Sequence, residues 1–194
     1  MTLDRLWAGW RIAYMSATGA QGSDGGCVLC RILAPGDDAI SDSGLAGIKG
    51  DPNLKVVPVS DLAMFTEAHV VWRGETCAVV LNAYPYTSGH VMVVPTRHVG
   101  ELEELGDDER AELWSQTTDA VRALKAAYTP EGLNVGINLG AAGGAGVPGH
   151  LHVHALPRWR GGTNLMTSVA EARVLPEPLS DTYEKVRASW PTGR

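Results

Sequence analysis

Residues 150–156 read His-Leu-His-Val-His-Ala-Leu. In an extended strand successive side chains point to opposite faces, so this alternation puts three imidazoles on one face and Leu151, Val153 and Ala155 on the other. A helix would scatter the same residues around its axis. The segment therefore calls for a half-buried strand, ended by Pro157, in a sheet whose other face is core. Three of the chain's six histidines fall within these few positions. Imidazole titrates near neutrality and serves as nucleophile, proton donor or metal ligand. A middle histidine flanked two residues away on each side can be held in one tautomer, as nucleophile activation requires. A plain metal site or a solvated polar face would show the same row.

The row is preceded by Gly140-Ala-Ala-Gly143-Gly144-Ala-Gly146-Val-Pro-Gly149, in which five of ten residues are glycine. Such a loop lets backbone N–H groups come close to an anion. It contains no Gly-Lys-Ser/Thr and no dinucleotide fingerprint, and taken alone it is equally a flexible turn. A loop able to cradle phosphate that runs into a histidine strand points to phosphoryl or nucleotidyl transfer.

The remaining pattern supplies the frame. Leu3, Leu6, Trp7, Trp10 and Tyr14 have helical spacing over residues 3–16. Residues 17–26 read as a loop, Cys27 to Leu33 as a short helix or knuckle, and 35–58 as irregular chain. His69–Trp72 and Cys77–Leu81 read as a hairpin around Arg73-Gly74-Glu75, and Gly89–Pro95 as a mostly buried strand. Asp107–Tyr128 is the clearest helix, with acidic residues at its start and Trp114, Thr117, Val121, Leu124 and Tyr128 on one face. Leu133–Leu139 reads as a strand and Asp181–Trp190 as a helix. Antiparallel strands around one long helix make an α+β domain. The organisation expected is an N-terminal extension over 1–66, a core over 67–160 and a C-terminal extension over 161–194.

With 194 residues, 44% of them apolar and 20% charged, the chain can bury one sizeable core. A net charge of −6 argues against a nucleic-acid backbone as partner but not against a small anionic ligand. No stretch reaches the roughly 18 apolar residues of a membrane helix. Arg11 interrupts the apolar start of the chain, and no cleavage pattern follows. The expectation is a cytoplasmic protein with no membrane or nucleic-acid partner. Three cysteines, two of them spaced Cys27-x-x-Cys30, fit reduced thiols or a metal clip better than a disulfide framework. Cys77 reads as core.

The His150-Leu-His152-Val-His154-Ala-Leu segment resembles the signature of the histidine triad (HIT) family. Asn82-Ala-Tyr-Pro85-Tyr-Thr-Ser-Gly89-His90 through Pro95-Thr-Arg-His98, Gly136-Ile-Asn138-Leu-Gly140 and Pro157-Arg158-Trp159 are similar to other parts of it. The tail from Asn164 through Leu179 is similar too. The branch most resembled is that of bacterial diadenosine tetraphosphate phosphorylases and hydrolases. The resemblance implies a HIT-like antiparallel sheet of about five strands with one long helix and helical extensions at both ends, and a homodimer. It implies that His152 attacks the α-phosphorus and forms a nucleotidyl-histidine, that His154 contacts phosphate oxygen, and that His90 lines the same site. Asn82 falls at a ribose-contacting position, Asn138 beside the scissile phosphate, and Trp159 near a second nucleotide or a subunit contact. Where many relatives carry a side-chain donor before the triad, this chain has Gly146-Val147-Pro148. Gly146 N–H could replace it, whereas Pro148 has no N–H.

The resemblance also implies a structural Zn(II) held by Cys27, Cys30, His98 and His150, with His69 a rival ligand and two adjacent buried thiols the alternative. No organic cofactor is expected. Tyr84 and Tyr86 could stack on a base or simply pack, and Arg158 and Arg160 could meet outer phosphates or solvent. The activity implied is cleavage of a dinucleoside polyphosphate by phosphate or water. Alternatives are nucleoside phosphoramidate hydrolysis, non-catalytic nucleotide binding and a specialised biosynthetic transfer.

Overall fold

The computed structural model describes residues 26–34, 70–83, 85–160 and 177–191. The helix expected over 3–16, the irregular stretch 35–58, His69, Tyr84 and most of the tail beyond residue 160 lie outside the described residues. Those described form helix α1 (Val28–Leu33), strands β1 (Val70–Arg73), β2 (Cys77–Leu81) and β3 (Val91–Pro95), helix α2 (Asp107–Tyr128), strands β4 (Gly132–Ile137) and β5 (Val153–Arg158), and helix α3 (Leu179–Ala188). The five strands make one sheet in the order β1-β2-β3-β5-β4, with every pair antiparallel.

β2 and β3 are apolar throughout because both faces of the central sheet are covered. Cys77, Val79, Leu81, Val91 and Val93 join Val153 and Ala155 of β5 in a core under α2. Ala78, Val80, Met92 and Val94 face the other way and pack with Leu29 and Leu33 of α1. The molecule is therefore layered as α1, sheet, α2. β4 lies at an edge, and its Val135 is 43% exposed.

α2 has the length its pattern predicts. Glu109 reaches back to the Gly106 N–H at 2.8 Å, and the helix ends at Thr129 in a left-handed conformation with φ 43°. Its buried face differs from the expected one. Thr117 and Leu124 are buried, but their companions are Leu113, Ala120 and Ala123, while Trp114 is 47% exposed. Small alanines let the helix axis approach the valine-covered sheet, and a tryptophan in that seam would hold it off.

Strand boundaries move for local reasons: β4 spans Gly132–Ile137 rather than 133–139, and β5 runs through Pro157, which pairs with Leu133, to Arg158. β5 begins at Val153 rather than His150, because the Leu151 N–H donates to Val99 O at 2.7 Å and His150 N–H to Val147 O at 3.2 Å. β3 begins at Val91 because Gly89 turns the chain at φ 80°, where an added Cβ would lie 2.8 Å from the Tyr128 ring and 3.0 Å from Pro157. The first strand, described over Val70–Arg73, runs one residue past Trp72. α3 starts two residues early, directly after Pro178, a residue whose fixed φ suits a helix start. It packs on α2 and β1, with Trp190 stacked on Trp72 at 6.4 Å. Tyr128 OH, Thr182 OH and Lys185 all donate to the Glu177 carboxylate, tying α3 to the end of α2.

Replacing Leu113 by Ala should lower unfolding free energy by about 2–5 kcal/mol, since it opens a cavity under α2; urea titration measures it, and a change below that range would contradict the burial. Arg97 grips Glu109 through Nε at 2.9 Å and Nη2 at 2.8 Å. That bond, helped by the Gly106 amide, holds the Glu109 carboxyl down at about 2. A carboxyl depressed on folding contributes stability that is complete above its unfolded value and lost as pH falls through the folded one. Wild type should therefore lose more stability between about pH 4.5 and pH 2 than Arg97→Ala does, and parallel denaturation curves across that window are the check.

Candidate active site and metal cluster

His152 is buried just before β5, and its Nδ1 lies 2.7 Å from the His150 carbonyl oxygen. A carbonyl can only accept, so Nδ1 carries the proton and the neutral ring presents its lone pair at Nε2. Burial lowers the His152 pKa and outweighs the opposing effect of the carbonyl bond. The result is a neutral, oriented imidazole with an unprotonated Nε2.

The adjacent ring belongs to His154, 4.9 Å away centre to centre and nearly perpendicular. Met92 pairs with His154 across the β3–β5 ladder, which brings His90, just before β3, to the same place. The Tyr86 N–H donates to His90 Nδ1 at 3.1 Å, leaving the proton of the neutral His90 ring on Nε2. His90 Nε2 lies 3.0 Å from His154 Nδ1 and donates to it. His154 in turn carries its proton on Nε2. His152 and His154 thus have opposite characters at Nε2, a lone pair on His152 and a donor on His154, fixed by backbone groups at either end of the row. Asn82 joins them, its Nδ2 3.3 and 3.4 Å from the two His90 ring nitrogens, an approach shared between them rather than directed at one.

The glycine-rich segment folds on itself ahead of this row. Gly144 N–H donates to Ala141 O and Ala145 N–H to Gly140 O, with Gly140 and Gly144 at φ 65° and 92°. Asn138 Nδ2 donates to Gly144 O at 3.3 Å, fastening the end of β4 to the loop. Gly146 N–H takes no part in these bonds. Val147 packs into the α1-side core, which ties the far end of the loop to α1.

The first histidine of the triad turns elsewhere. His150 Nδ1 lies 3.3 Å from Cys27 Sγ and 3.4 Å from Cys30 Sγ, and Cys30 Sγ lies 3.3 Å from His98 Nδ1. One ligand atom from each of these four residues falls within 4.8 Å of the others. Tetrahedral zinc with Zn–S near 2.3 Å and Zn–N near 2.0 Å needs separations of about 3.3–3.8 Å, and two cysteines with two histidines is a common donor set. His150 Nε2 donates to Pro95 O at 2.9 Å, the backbone partner that fixes a metal-ligating histidine's tautomer. Burial pushes the Cys27 thiol up, but His150 and the amides of Leu29 and Cys30 at the start of α1 outweigh it and bring it to about 6. Burial and then the Cys27 charge push Cys30 up to about 11. Two thiols so placed do not both ionise alone; a divalent cation would let them. The four residues fit a metal ion.

A family model described as the HIT domain matches residues 65–161. The chain belongs to the HIT domain family. Over 150 residues it is 43% identical to an AP-4-A phosphorylase of Mycobacterium tuberculosis (strain ATCC 25618 / H37Rv), covering 75% of this chain and 77% of that one. It is 32% identical over 91 residues to an asymmetrical bis(5'-nucleosyl)-tetraphosphatase of Schizosaccharomyces pombe, covering 47% of this chain and 50% of that one. Among solved structures, a histidine triad nucleotide-binding protein from Sulfolobus tokodaii superposes with TM-score 0.52 at 29% identity, over 62% of this chain and 82% of that one. A Zn-bound histidine triad family protein from Mycobacterium smegmatis shares the fold, with TM-score 0.50 at 24% identity over 62% of this chain and 81% of that one.

In this HIT domain the residues expected at the site separate into groups. His90, His152, His154 and Asn82 come together; Asn138 and Gly146 belong to the loop in front; Cys27, Cys30, His98 and His150 gather apart. Trp159 is not brought to the row. It falls in phase with Val153, Ala155 and Pro157, toward the α2 face, and packs edge-on to Tyr128 at 6.2 Å. Sequence reasoning missed the backbone groups that set the tautomers, the carbonyls of His150 and Pro95 and the amide of Tyr86, because every residue carries them.

Purified protein should contain about one metal ion per chain, lost on Cys30→Ser, with the four-ligand set of tetrahedral zinc sites. Elemental analysis decides it, and metal-free wild type prepared without chelator would remove the claim.

Proposed function

We propose that this protein is a nucleotidyl transferase or hydrolase that cleaves dinucleoside polyphosphates of the diadenosine tetraphosphate kind through a covalent intermediate on His152. The observation that carries the reading is the bond from His152 Nδ1 to the His150 carbonyl, which leaves Nε2 as a lone pair beside the donor His154. The Nε2 pair forms a bond to the α-phosphorus, and the bond from that phosphorus to the leaving phosphate oxygen breaks, its electrons going with the departing nucleotide. The ring gains positive charge, which the His150 carbonyl stabilises through Nδ1–H. His154, held by His90, donates to a non-bridging oxygen as charge builds. Phosphate or water then attacks the phosphorus, and the N–P electrons return to Nε2. The activities named for the Mycobacterium tuberculosis and Schizosaccharomyces pombe relatives support this substrate class.

In this reading Asn82 serves the ribose, and Asn138 with Gly146 N–H holds the phosphate chain. Trp159, on the α2 face, serves a distal nucleotide or a subunit contact. The Cys27, Cys30, His98 and His150 cluster holds a structural Zn(II) that ties α1 to the sheet, with residues 1–66 and 161–194 as extensions around a 67–160 core. The assembly is a homodimer joined through the β4 edge and α2; exposed Val135, Leu139 and Trp114 support it. A net charge of −6 supports a nucleotide rather than a nucleic acid as partner. No helix among the described residues is long and apolar enough to cross a membrane, and we assign the protein to the cytoplasm.

Products from diadenosine tetraphosphate test the reaction. ADP and ATP formed only with phosphate mean phosphorolysis; AMP and ATP, or ADP alone, formed without it mean hydrolysis. No product from the wild type would overturn the substrate class and favour the small leaving group of a phosphoramidate, which asks less of Gly146-Val147-Pro148. His152→Ala should lose turnover altogether yet bind nucleotide as wild type does; persisting turnover would end the nucleophile assignment.

A further inference from the structure

We propose that Tyr86 is a positioning residue for the proton-donating end of the row: its ring holds the His90 imidazole against its own amide, and through His90 it fixes the tautomer and aim of His154. The inference rests on the donor role assigned to His154 above. Tyr86 reaches His90 at two points. Its N–H donates to Nδ1 at 3.1 Å, and its ring stands 4.8 Å from the His90 ring at 40°. The same ring lies 6.3 Å from His154 at 35°, so one aromatic side chain borders both histidines. His90 is 1% exposed while Tyr86 is half-buried, which makes the tyrosine part of the wall that keeps water from His90.

The local sequence enforces this arrangement. Pro85 restricts the chain entering Tyr86. Gly89, at φ 80° and pressed against Tyr128 and Pro157, turns it so that His90 N–H donates to Thr87 O at 3.3 Å. Asn82 N–H donates to His90 O at 2.9 Å and closes the loop. An imidazole has two nearly equal neutral tautomers in water. Here the wrong one on His90 would set two donors, Tyr86 N–H and a protonated Nδ1, against each other. The ring's part is to keep His90 where that conflict operates. Its negative π face beside two imidazoles also favours any positive charge they acquire as phosphate charge builds.

A tyrosine that stacked on the substrate base would act differently, so the two roles separate cleanly. For positioning, Tyr86→Ala should lower kcat roughly 10- to 100-fold, as a misaimed catalytic group does, with nucleotide Kd in the His152→Ala background unchanged. Tyr86→Phe, which keeps the ring, should restore kcat, and Tyr86→Leu, which fills the space without a π face, should not. Nitrogen-15 spectra of the histidine rings in the substrate-free protein give a readout independent of turnover. Wild type should show His154 protonated at Nε2 and bare at Nδ1, and Tyr86→Ala should show mixed tautomers. An unchanged tautomer pattern in Tyr86→Ala would overturn the proposal even if no substrate were ever turned over. So would a raised Kd with kcat intact, which is base stacking. Loss of melting temperature in Tyr86→Ala matched by Tyr86→Phe, with normal ring spectra in both, would mean packing only and would overturn it as well.

Discussion

Three antiparallel pairs, Val91 with Ala155, Met92 with His154 and Val93 with Val153, hold β3 against β5, and the meeting of His154 with His90 follows from them. The pairing brings His90 within 3.0 Å of His154 although 64 residues separate them. Because side chains alternate, a slip of one residue would send His154 into the α2 core and Val153 to the row. The register is held by that cost. Val91, Val93, Val153 and Ala155 are all fully buried under α2, and none could exchange places with an imidazole without leaving a polar ring among hydrocarbon.

His150 stands where the cysteine-histidine cluster meets the histidine row. Its ring faces the cysteines at the start of α1, its Nε2 is tied to the end of β3, and its carbonyl holds His152 Nδ1. One residue therefore links the cysteine-histidine cluster to the orientation of His152, with no rotatable side-chain bond between them beyond its own. The Gly140–Gly149 loop is fastened at both ends, by Asn138 to Gly144 and by Val147 to the α1-side core. A loop that had to find its shape on binding would spend part of the binding energy on ordering itself; one tied down in advance does not.

Periodicity carried most of the frame. The 22-residue α2 and the five-residue β2 match their patterns end to end, because a long 3.6-residue repeat and an unbroken apolar run between turn residues leave little else to form. The face of α2 was less legible. Apolar spacing admitted Trp114, and only the close approach of Ala120 and Ala123 to the sheet shows why the stripe runs through Leu113 instead. The triad strand was read from His150 to Leu156, three residues early at its start and two short at its end: hydrogen bonds from His150 and Leu151 to loop carbonyls have no signature in side-chain type, and Pro157 does not stop the strand, which runs to Arg158.

The sequence by itself determined which groups were available: three alternating histidines, a glycine-rich run, a Cys-x-x-Cys pair and an upstream Gly89-His90. These are local patterns, and strand alternation alone makes them chemically suggestive. Residue types alone leave open how they divide; the family resemblance implied that His150 goes to the cysteines and that His90 joins the row, and the tertiary structure brings them together that way, with Trp159 turned to the other face. It alone decided which nitrogen of each ring bears a proton. That choice rests on backbone carbonyls and amides brought up by strand pairing and loop closure. Such groups are the same at nearly every position, so no pattern of residue types can announce them.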